Sequence, residues 1–210
     1  MDHARPIPSL IPGARGAVLD VLTRVQRGMT IRQLADRAGV SHPQAARHVA
    51  DLERLGIVRR EHVGRSHVIT LTDTLTVDLL RRVTGLRQAV LRGMTDTASL
   101  LEPRPVSMVV FGSFARGDDD AESDIDVLVV VEDDQADGAL DAALARWCQD
   151  VTRLTGNPVT EIVVPLAELD SMDRSLRESI ERDGITILPE MDARGPRLKV
   201  VAEERSPYGP

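Results

Sequence analysis

The chain has 210 residues, of which 42% are hydrophobic, only 2% are aromatic and one is a cysteine, Cys148. This length holds one large domain or two small ones with aliphatic cores, and a single thiol excludes an intrachain disulfide and a cysteine-based zinc cluster. Residues 1–92 carry 15 Arg against 8 acidic residues, whereas residues 93–210 carry 11 Lys and Arg against 25 acidic residues. We interpret this asymmetry as one half that faces phosphate and one half that gathers metal ions.

The N-terminal segment is too polar for a signal peptide, and no run of about 18 uninterrupted apolar residues occurs in the chain. We therefore expect a cytoplasmic protein that does not interact with a membrane. Residues 1–12 contain three prolines and are predicted to be a flexible arm. The first domain is predicted over residues 13–73.

That domain shows the signals of three helices and a hairpin. Helical spacing of Val18, Leu19, Leu22 and Val25 predicts a helix over Ala14–Arg27. Thr30 and Ser41 are placed to cap a second and a third helix, with a tight Gly39–Ser41 turn between them. The residues expected to face inward on the third helix are Ala46, Val49, Leu52 and Leu55. The β-like runs Ile57–Glu61 and His67–Leu71 then flank a turn at Gly64.

The stretch TIRQLADRAGVSHPQAARHVADLERLGIVRR, Thr30–Arg60, resembles the winged helix-turn-helix domains of the multiple-antibiotic-resistance and arsenical-resistance regulator families. The resemblance implies that the third helix enters the major groove of double-stranded DNA, while the wing crosses the backbone or minor groove. The candidate DNA contacts are Ser41, His42, Gln44, Ala45, Arg47 and His48 on the helix, and Arg65, Ser66 and His67 in the wing. Gln suits adenine, Arg suits guanine and Ala suits a thymine methyl. A protein-docking or dimerisation role stays open as the alternative.

Residues 74–103 are predicted to be a long linker helix, weakened by Gly85 and Gly93 and closed by Pro103 and Pro105. The pattern then alternates between strands and helices over residues 104–190. The predicted strands are Val106–Phe111, Ile125–Val131, Val159–Val164 and a short Ile185–Leu188, and the longer helices are Ala136–Leu154 and Leu166–Arg182. Residues 191–210 are polar and rich in Gly and Pro, which predicts a disordered tail.

The segment VVFGSFARGDDDAESDIDVLVVVE, Val109–Glu132, carries the chemistry. Gly112 and Ser113 follow a hydrophobic strand, where a glycine lets the backbone approach a phosphate and free amides bind its oxygens. Asp124 and Asp126 are two apart on a strand, so both carboxylates project from the same side. Two such carboxylates repel each other unless a cation lies between them.

GSFARG followed by SDIDVLV is similar to the minimal nucleotidyltransferases of the DNA polymerase-β superfamily, and the similarity covers roughly residues 104–190. Together with the winged-helix resemblance, this similarity implies an α+β chain. Its parts are a winged helix-turn-helix, a linker helix and an α/β nucleotidyltransferase domain with a small mixed sheet. It also implies that Asp124 and Asp126 bind two Mg²⁺ ions. The nucleoside triphosphate is expected to be ATP, and the residues implied to bind it are Gly112, Ser113, Arg116 and Ser123.

The superfamily usually has a third carboxylate on the next strand, and Glu161 is the only acid of VTEIVVP. Glu161 is therefore the candidate third metal ligand or base, provided that it shares a sheet face with Asp126. The acidic run Asp118, Asp119, Asp120 and Glu122 is expected to be solvated. Trp147 and Cys148 are expected to be packing residues.

Three functions remain open. The first is a DNA-bound enzyme that transfers a nucleoside monophosphate to a hydroxyl of a protein, an RNA or a small molecule. The second is a transcriptional regulator whose transferase domain binds nucleotide without reacting. The third is an antibiotic-modifying type of small-molecule nucleotidyltransferase that uses the winged helix as a dimer platform. Since winged helices usually act on two half-sites, we expect a homodimer.

Overall fold

The structure, a computed structural model, describes residues 2–64, 66–133 and 138–189. The wing residue Arg65 and the tail 191–210 lie outside these residues. The chain divides into two units: residues 4–87 with Asp2, and the residues from Gln88 onward with His3. Among the described residues, no helix is both long enough and apolar enough to cross a membrane.

The first unit is largely helical, and side-chain caps set the starts of two of its helices. Its helices are α1 Pro6–Leu10, α2 Ala14–Arg24, α3 Ile31–Ala38, α4 His42–Arg54 and α5 Leu75–Thr84. Thr30 and Ser41 each begin a helix through a capping box with the glutamine three residues later, Gln33 and Gln44. Gly39 ends α3 with a φ of 64°, a left-handed conformation that favours glycine.

The wing follows α4 as two antiparallel strands, β1 Val58–Val63 and β2 Ser66–Leu71. Their buried side chains, Val58 and Ile69, join the core that the helices form. That core is aliphatic, and its largest members include Ile7, Leu34, Leu52 and Ile69. The winged helix-turn-helix order of elements is thus confirmed.

Two details of this unit differ from the sequence expectation. The segment predicted to be a flexible arm forms α1, and Ile7 is buried there because it packs in the core of the unit. On α4 the buried residues are Ala45, Val49 and Leu52, whereas Leu55 is 61% exposed. Leu55 was expected inside, but it is the C-terminal cap of α4, where the helical repeat ends.

The second unit is a four-stranded mixed sheet with helices. Its helices are α6 Leu86–Ala98, α7 Gly112–Arg116, α8 Gly138–Thr155 and α9 Arg174–Asp183, and its strands are β3 Ser107–Phe111, β4 Ile125–Val131, β5 Val159–Pro165 and β6 Ile185–Leu188. The strand order is β5–β4–β3–β6. Only β4 and β5 run parallel, whereas β3 is antiparallel to both of its neighbours. The mixed sheet agrees with the expectation.

Both faces of the two central strands are buried. One face, with Val109, Phe111, Leu128 and Val130, packs against Leu169 and Ile180. The alternate residues of β3 and β4 are also buried, and α8 presents Leu140, Leu144, Trp147 and Val151 as buried side chains. Continuous apolar strands are typical of a sheet covered on both sides.

Two predicted helices are each divided in the structure. The linker over 74–103 becomes α5 and α6, separated at Gly85, whose flexible backbone weakens a helix. The helix predicted over Leu166–Arg182 becomes a 3₁₀ turn, Leu166–Ser171, followed by α9. Asp173 begins α9 by accepting hydrogen bonds from the amides of Ser175 and Leu176, so a new helix starts there.

Candidate functional site

Asp124 and Asp126 lie together where β3 ends and β4 begins. Asp126 pairs across the sheet with Phe111, the last residue of β3, and Asp124 directly precedes β4. Asp126 is half-buried and Asp124 is exposed. Alternation along the strand directs both carboxylates to the same side of the sheet. The expected juxtaposition of these two side chains is therefore present.

The pKa of Asp126 is raised above its ordinary value. Burial of the carboxyl group is the largest cause and the neighbouring Asp124 is the second, whereas Arg116 acts in the opposite direction. A carboxylate that is desolvated and faces a second carboxylate favours a proton or a cation beside it.

Gly112 sits directly against this pair. Its φ is 72°, and a Cβ atom at this position would overlap Oδ2 of Asp126. Glycine therefore serves two needs at once, a left-handed backbone and room for the carboxylate. From the sequence we expected this glycine only to let the backbone approach a phosphate closely.

The other residues implied to bind nucleotide differ in their surroundings. Ser113 is the second residue of α7, and its carbonyl accepts hydrogen bonds from the amides of Gly117 and Asp118. Arg116 forms an ion pair with Asp118, with 3.1 Å between Nε and Oδ2. Ser123 donates its hydroxyl to Oδ1 of Asp120 at 2.8 Å. Ser123 thus shapes the loop before Asp124, a role that the sequence did not indicate.

Glu161 is not brought to the carboxylate pair. In the parallel pairing of β4 and β5, Asp126 aligns with Thr160 and Val127 aligns with Glu161. Aligned residues of neighbouring strands share a face, so Glu161 lies on the face opposite Asp126. Its carboxylate accepts a hydrogen bond from Sγ of Cys148 at 3.4 Å. Glu161 was predicted to be a third carboxylate only if it shared a sheet face with Asp126. It does not share that face, so it does not join the pair.

Thr160 occupies the position beside the pair instead. Its hydroxyl lies 3.4 Å from Oδ2 of Asp124, to which it donates a hydrogen bond. Nothing in the strand sequence VTEIVVP distinguishes the two possible faces, because β5 has apolar residues at both alternating positions. Only the register with β4 identifies Thr160.

Two packing residues behave as expected. Trp147 is 3% exposed, and its Nε1 donates to the hydroxyl of Thr97 at 3.0 Å. Burial, and next Glu161, raise the pKa of the Cys148 thiol to about 12. A thiol that stays protonated at neutral pH is a weak nucleophile, which agrees with a packing role.

Asp119 and Asn157 are site residues that the sequence analysis missed. Asp119 was expected to be solvated with the rest of its acidic run, yet it is 4% exposed. It accepts hydrogen bonds from His3, which is distant in the sequence. Asn157 is 1% exposed and donates to the carbonyl of Ser123 at 2.7 Å, one residue before Asp124. Neither contact has a local sequence signal.

The oxygen atoms of this site suit Mg²⁺. Mg²⁺ in proteins is typically held by one or two carboxylates, substrate phosphates and water, so a pair of carboxylates is a sufficient protein contribution. The pKa of Asp126 is raised first by burial and next by Asp124, and a cation beside the pair would offset both effects. In the described part of the chain, no group of three or more His, Cys, Asp or Glu forms a complete protein cage for a metal. The residues present therefore fit Mg²⁺ held jointly with a nucleotide.

The candidate DNA surface is only partly as expected. His42 and Arg47 are exposed on α4, and Ser66 and His67 are exposed on β2. Ala45 is fully buried, because it lies four residues before Val49 on the inward face of the helix, so its proposed contact with a thymine methyl is wrong.

Ser41 and Gln44, two of the other candidates, are engaged within the unit. The side chains of Ser41 and Gln44 bond to each other's backbone amides in the capping box. His48 is half-buried, and its Nδ1 is buried without a hydrogen-bond partner in the part of the chain that the structure describes. His42 and Arg47 therefore remain as exposed candidates on this helix, and Arg47 is the one suited to a guanine edge.

Two family models match separate parts of the chain. The nucleotidyltransferase domain matches residues 95–187, and the MarR family matches residues 11–67. A curated relative from Methanocaldococcus jannaschii, "Putative protein adenylyltransferase MJ0141", is 45% identical over 38 residues. That match covers 18% of this chain and 38% of the relative, so the chain spans less than half of that relative's length.

Solved structures match portions of the chain at low overall similarity. A toxin–antitoxin crystal structure with AMP-PNP is 19% identical with a TM-score of 0.36, and the match covers 48% of this chain and 74% of that one. The transcriptional regulator PA3341 is 33% identical with a TM-score of 0.33, and the match covers 39% of this chain and 64% of that one. The two family matches lie in the two units that the structure separates.

Proposed function

We propose that this chain, in which a MarR-family winged helix precedes a nucleotidyltransferase domain, is a DNA-bound, Mg²⁺-dependent enzyme that transfers a nucleoside monophosphate from a nucleoside triphosphate to a hydroxyl group. The observation that carries the proposal is the Asp124–Asp126 pair beside Gly112, with the pKa of Asp126 raised by burial and by its neighbour. ATP is the proposed donor, and a protein hydroxyl is the first acceptor to test because the curated relative is named as a protein adenylyltransferase.

The reaction forms one bond to the α-phosphorus and breaks another. The acceptor oxygen bonds to the α-phosphorus, the bond from that phosphorus to the bridging oxygen breaks, and pyrophosphate leaves with its electron pair. Asp124 and Asp126 would hold Mg²⁺. The ion would neutralise phosphate charge and lower the pKa of the acceptor hydroxyl. Gly112 keeps space open at the carboxylate, and Arg116 adds positive charge nearby. The acceptor proton passes to solvent, because Glu161 lies on the other face of β5.

A second candidate is a regulator that binds nucleotide without turning it over. The observation in its favour is Thr160, which stands next to Asp124 where a third carboxylate would otherwise accept a proton. Both candidates use the same carboxylate pair, so nucleotide binding alone does not separate them.

ATP radiolabelled at the α-phosphate, incubated with the full chain, Mg²⁺ and cell lysate, tests the proposal. We expect label on a macromolecule together with release of pyrophosphate, both removed by EDTA. ATP labelled at the γ-phosphate is the matched control and should leave the acceptor unlabelled, since that phosphate departs in pyrophosphate. Mg²⁺-dependent ATP binding without pyrophosphate release would favour the regulator instead.

The DNA-binding part of the proposal predicts a specific role for Arg47. We expect Arg47→Ala in the full chain to weaken binding to a selected target sequence by about 1–3 kcal/mol and to relax the preference at one base pair, because Arg pairs with guanine edges. The measurement is competition binding after selection from random duplexes, at fixed salt.

Arg54→Ala is the matched control for this prediction, since Arg54 lies at the end of the same helix, where it pairs with Asp51. This variant should keep the base preference of the parent. A base preference that survives Arg47→Ala would refute the assigned orientation of α4 on DNA.

The proposal also includes a homodimer bound to two half-sites. Leu75 and Leu79 support it, because these side chains are 74% and 51% exposed and lie one turn apart on α5. Exposed leucines at this spacing form an apolar stripe that a second copy can cover.

A further inference from the structure

The loop over residues 118–124 carries the first carboxylate of the site into place. It connects α7 to β4 and ends at Asp124. Near its end, Asn157 donates from Nδ2 to the carbonyls of Asp120 and Ser123, at 3.2 and 2.7 Å. Near its start, Asp119 turns inward and is 4% exposed. The loop is therefore held at two points rather than free in solvent.

His3 is the partner of Asp119. Its backbone amide donates to Oδ2 of Asp119 at 3.0 Å, and Nδ1 of its ring lies 3.1 Å from the same oxygen. The other ring nitrogen, Nε2, lies 3.3 Å from the carbonyl of Thr155 at the end of α8. His3 is 1% exposed and belongs to the same unit as these partners.

The ring of His3 also contacts the short helix that begins with Gly112. It meets the ring of Phe114 edge-on, with 5.4 Å between the ring centres. The two ring nitrogens thus lie against two acceptor oxygens, the carboxylate of Asp119 and the carbonyl of Thr155.

Asp119 depends strongly on this partner. Its Oδ1 is buried and has no hydrogen-bond partner among the described residues. A buried carboxyl group that loses its hydrogen-bond partner has to reach solvent, because an unsatisfied buried polar group is costly. Without His3, Asp119 would turn outward and take the start of the loop with it.

We propose that His3 is a positioning residue, which holds the loop over 118–124 through Asp119 and so places Asp124 for metal binding. The inference rests on the proposed function, in which Asp124 binds the metal ion. It identifies a residue from the beginning of the chain as part of the support of a site that lies more than a hundred residues later.

Mn²⁺ affinity of the full chain, measured by electron paramagnetic resonance, tests this role without requiring turnover. Mn²⁺ takes the same oxygen ligands as Mg²⁺. We expect His3→Ala to weaken Mn²⁺ binding by roughly 10- to 100-fold, the usual effect of removing a residue that orients a metal ligand. We expect His3→Gln to recover part of the loss, because its side-chain amide can still donate to Asp119.

Leu144→Ala is the matched control for a merely structural effect. Leu144 is a buried residue of α8, so its truncation lowers the stability of the same unit without touching the loop. The measurement is made at a temperature below the unfolding transitions of both His3→Ala and Leu144→Ala. Under this condition Leu144→Ala should keep the parent's Mn²⁺ affinity.

Two results overturn the inference while leaving the proposed function intact: His3→Ala that binds Mn²⁺ within twofold of the parent, or Leu144→Ala that loses as much affinity as His3→Ala. A parent chain that binds no Mn²⁺ with or without nucleotide overturns the proposed function and this inference together.

Discussion

Replacing Asp126 by asparagine is expected to remove Mg²⁺-dependent nucleotidyl transfer, by roughly two to four orders of magnitude in turnover. The amide keeps the size of the side chain but cannot supply a negative oxygen to the cation. β4 contains no acidic residue besides Asp126, which lies opposite Phe111 at the end of β3, so no other carboxylate of that strand can take its place. Pyrophosphate release from ATP under saturating Mg²⁺ is the measurement.

The same substitution should not destabilise the metal-free protein. The pKa of Asp126 is raised above its ordinary value of 3.8, chiefly by burial and then by Asp124, so the folded state holds this proton more tightly than the unfolded chain does. The ionised carboxylate therefore lowers the free energy of unfolding above its folded pKa, and this penalty disappears as the pH falls below the unfolded value. We expect Asp126→Asn to melt at or above the parent's temperature at pH 7, with the difference vanishing at low pH.

Glu161→Gln is the matched control, because it makes the same chemical change one strand away on the opposite sheet face. We expect it to retain turnover within about twofold, since the expected effect of a positioned acid or base would be at least a hundredfold. A hundredfold loss in Glu161→Gln would contradict the face that the β4–β5 register assigns to it. A strong drop in melting temperature for metal-free Asp126→Asn would mark Asp126 as structural instead.

The second large effect is expected from Gly112→Ala. A left-handed backbone costs about 1–2 kcal/mol with an alanine, and the added methyl group would displace the Asp126 carboxylate that it overlaps. We therefore expect a modest loss of stability and a loss of turnover by at least about a hundredfold. Calorimetry and the pyrophosphate assay measure the two quantities separately.

Gly39→Ala is the control that separates backbone strain from the clash. Gly39 has a φ of 64°, but a Cβ at this position would meet nothing within 4 Å. It should show the same kind of strain and keep full transferase activity. If Gly112→Ala retained the parent's turnover, the contact between this glycine and Asp126 would not matter for the reaction.

Features that depend on neighbouring residues were predictable from the sequence. The capping residues Thr30 and Ser41, the turn at Gly39 and the position of Gly112 all follow from local backbone and side-chain chemistry. The MarR-like and nucleotidyltransferase parts were recognised from contiguous motifs for the same reason.

Features that depend on register or on distant contacts were not predictable. Glu161 and Thr160 differ only by how β5 aligns with β4, and a shift of one residue exchanges the two faces. Ala45 was misplaced because the adjacent Ala46 has the same hydrophobicity and was assigned to the inward face that Ala45 occupies. Asp119 was misjudged because its partner His3 lies 116 residues away.

The contact between His3 and Asp119 also has a consequence for the order of events during synthesis. His3 is synthesised before Asp119, which follows 116 residues later, roughly 6 to 23 seconds at typical elongation rates. By then the MarR-like part, residues 11–67, is already complete. The MarR-like part of a nascent chain is thus complete before the loop over 118–124 gains its contact with His3, so we expect the proposed metal site to form only after the winged helix.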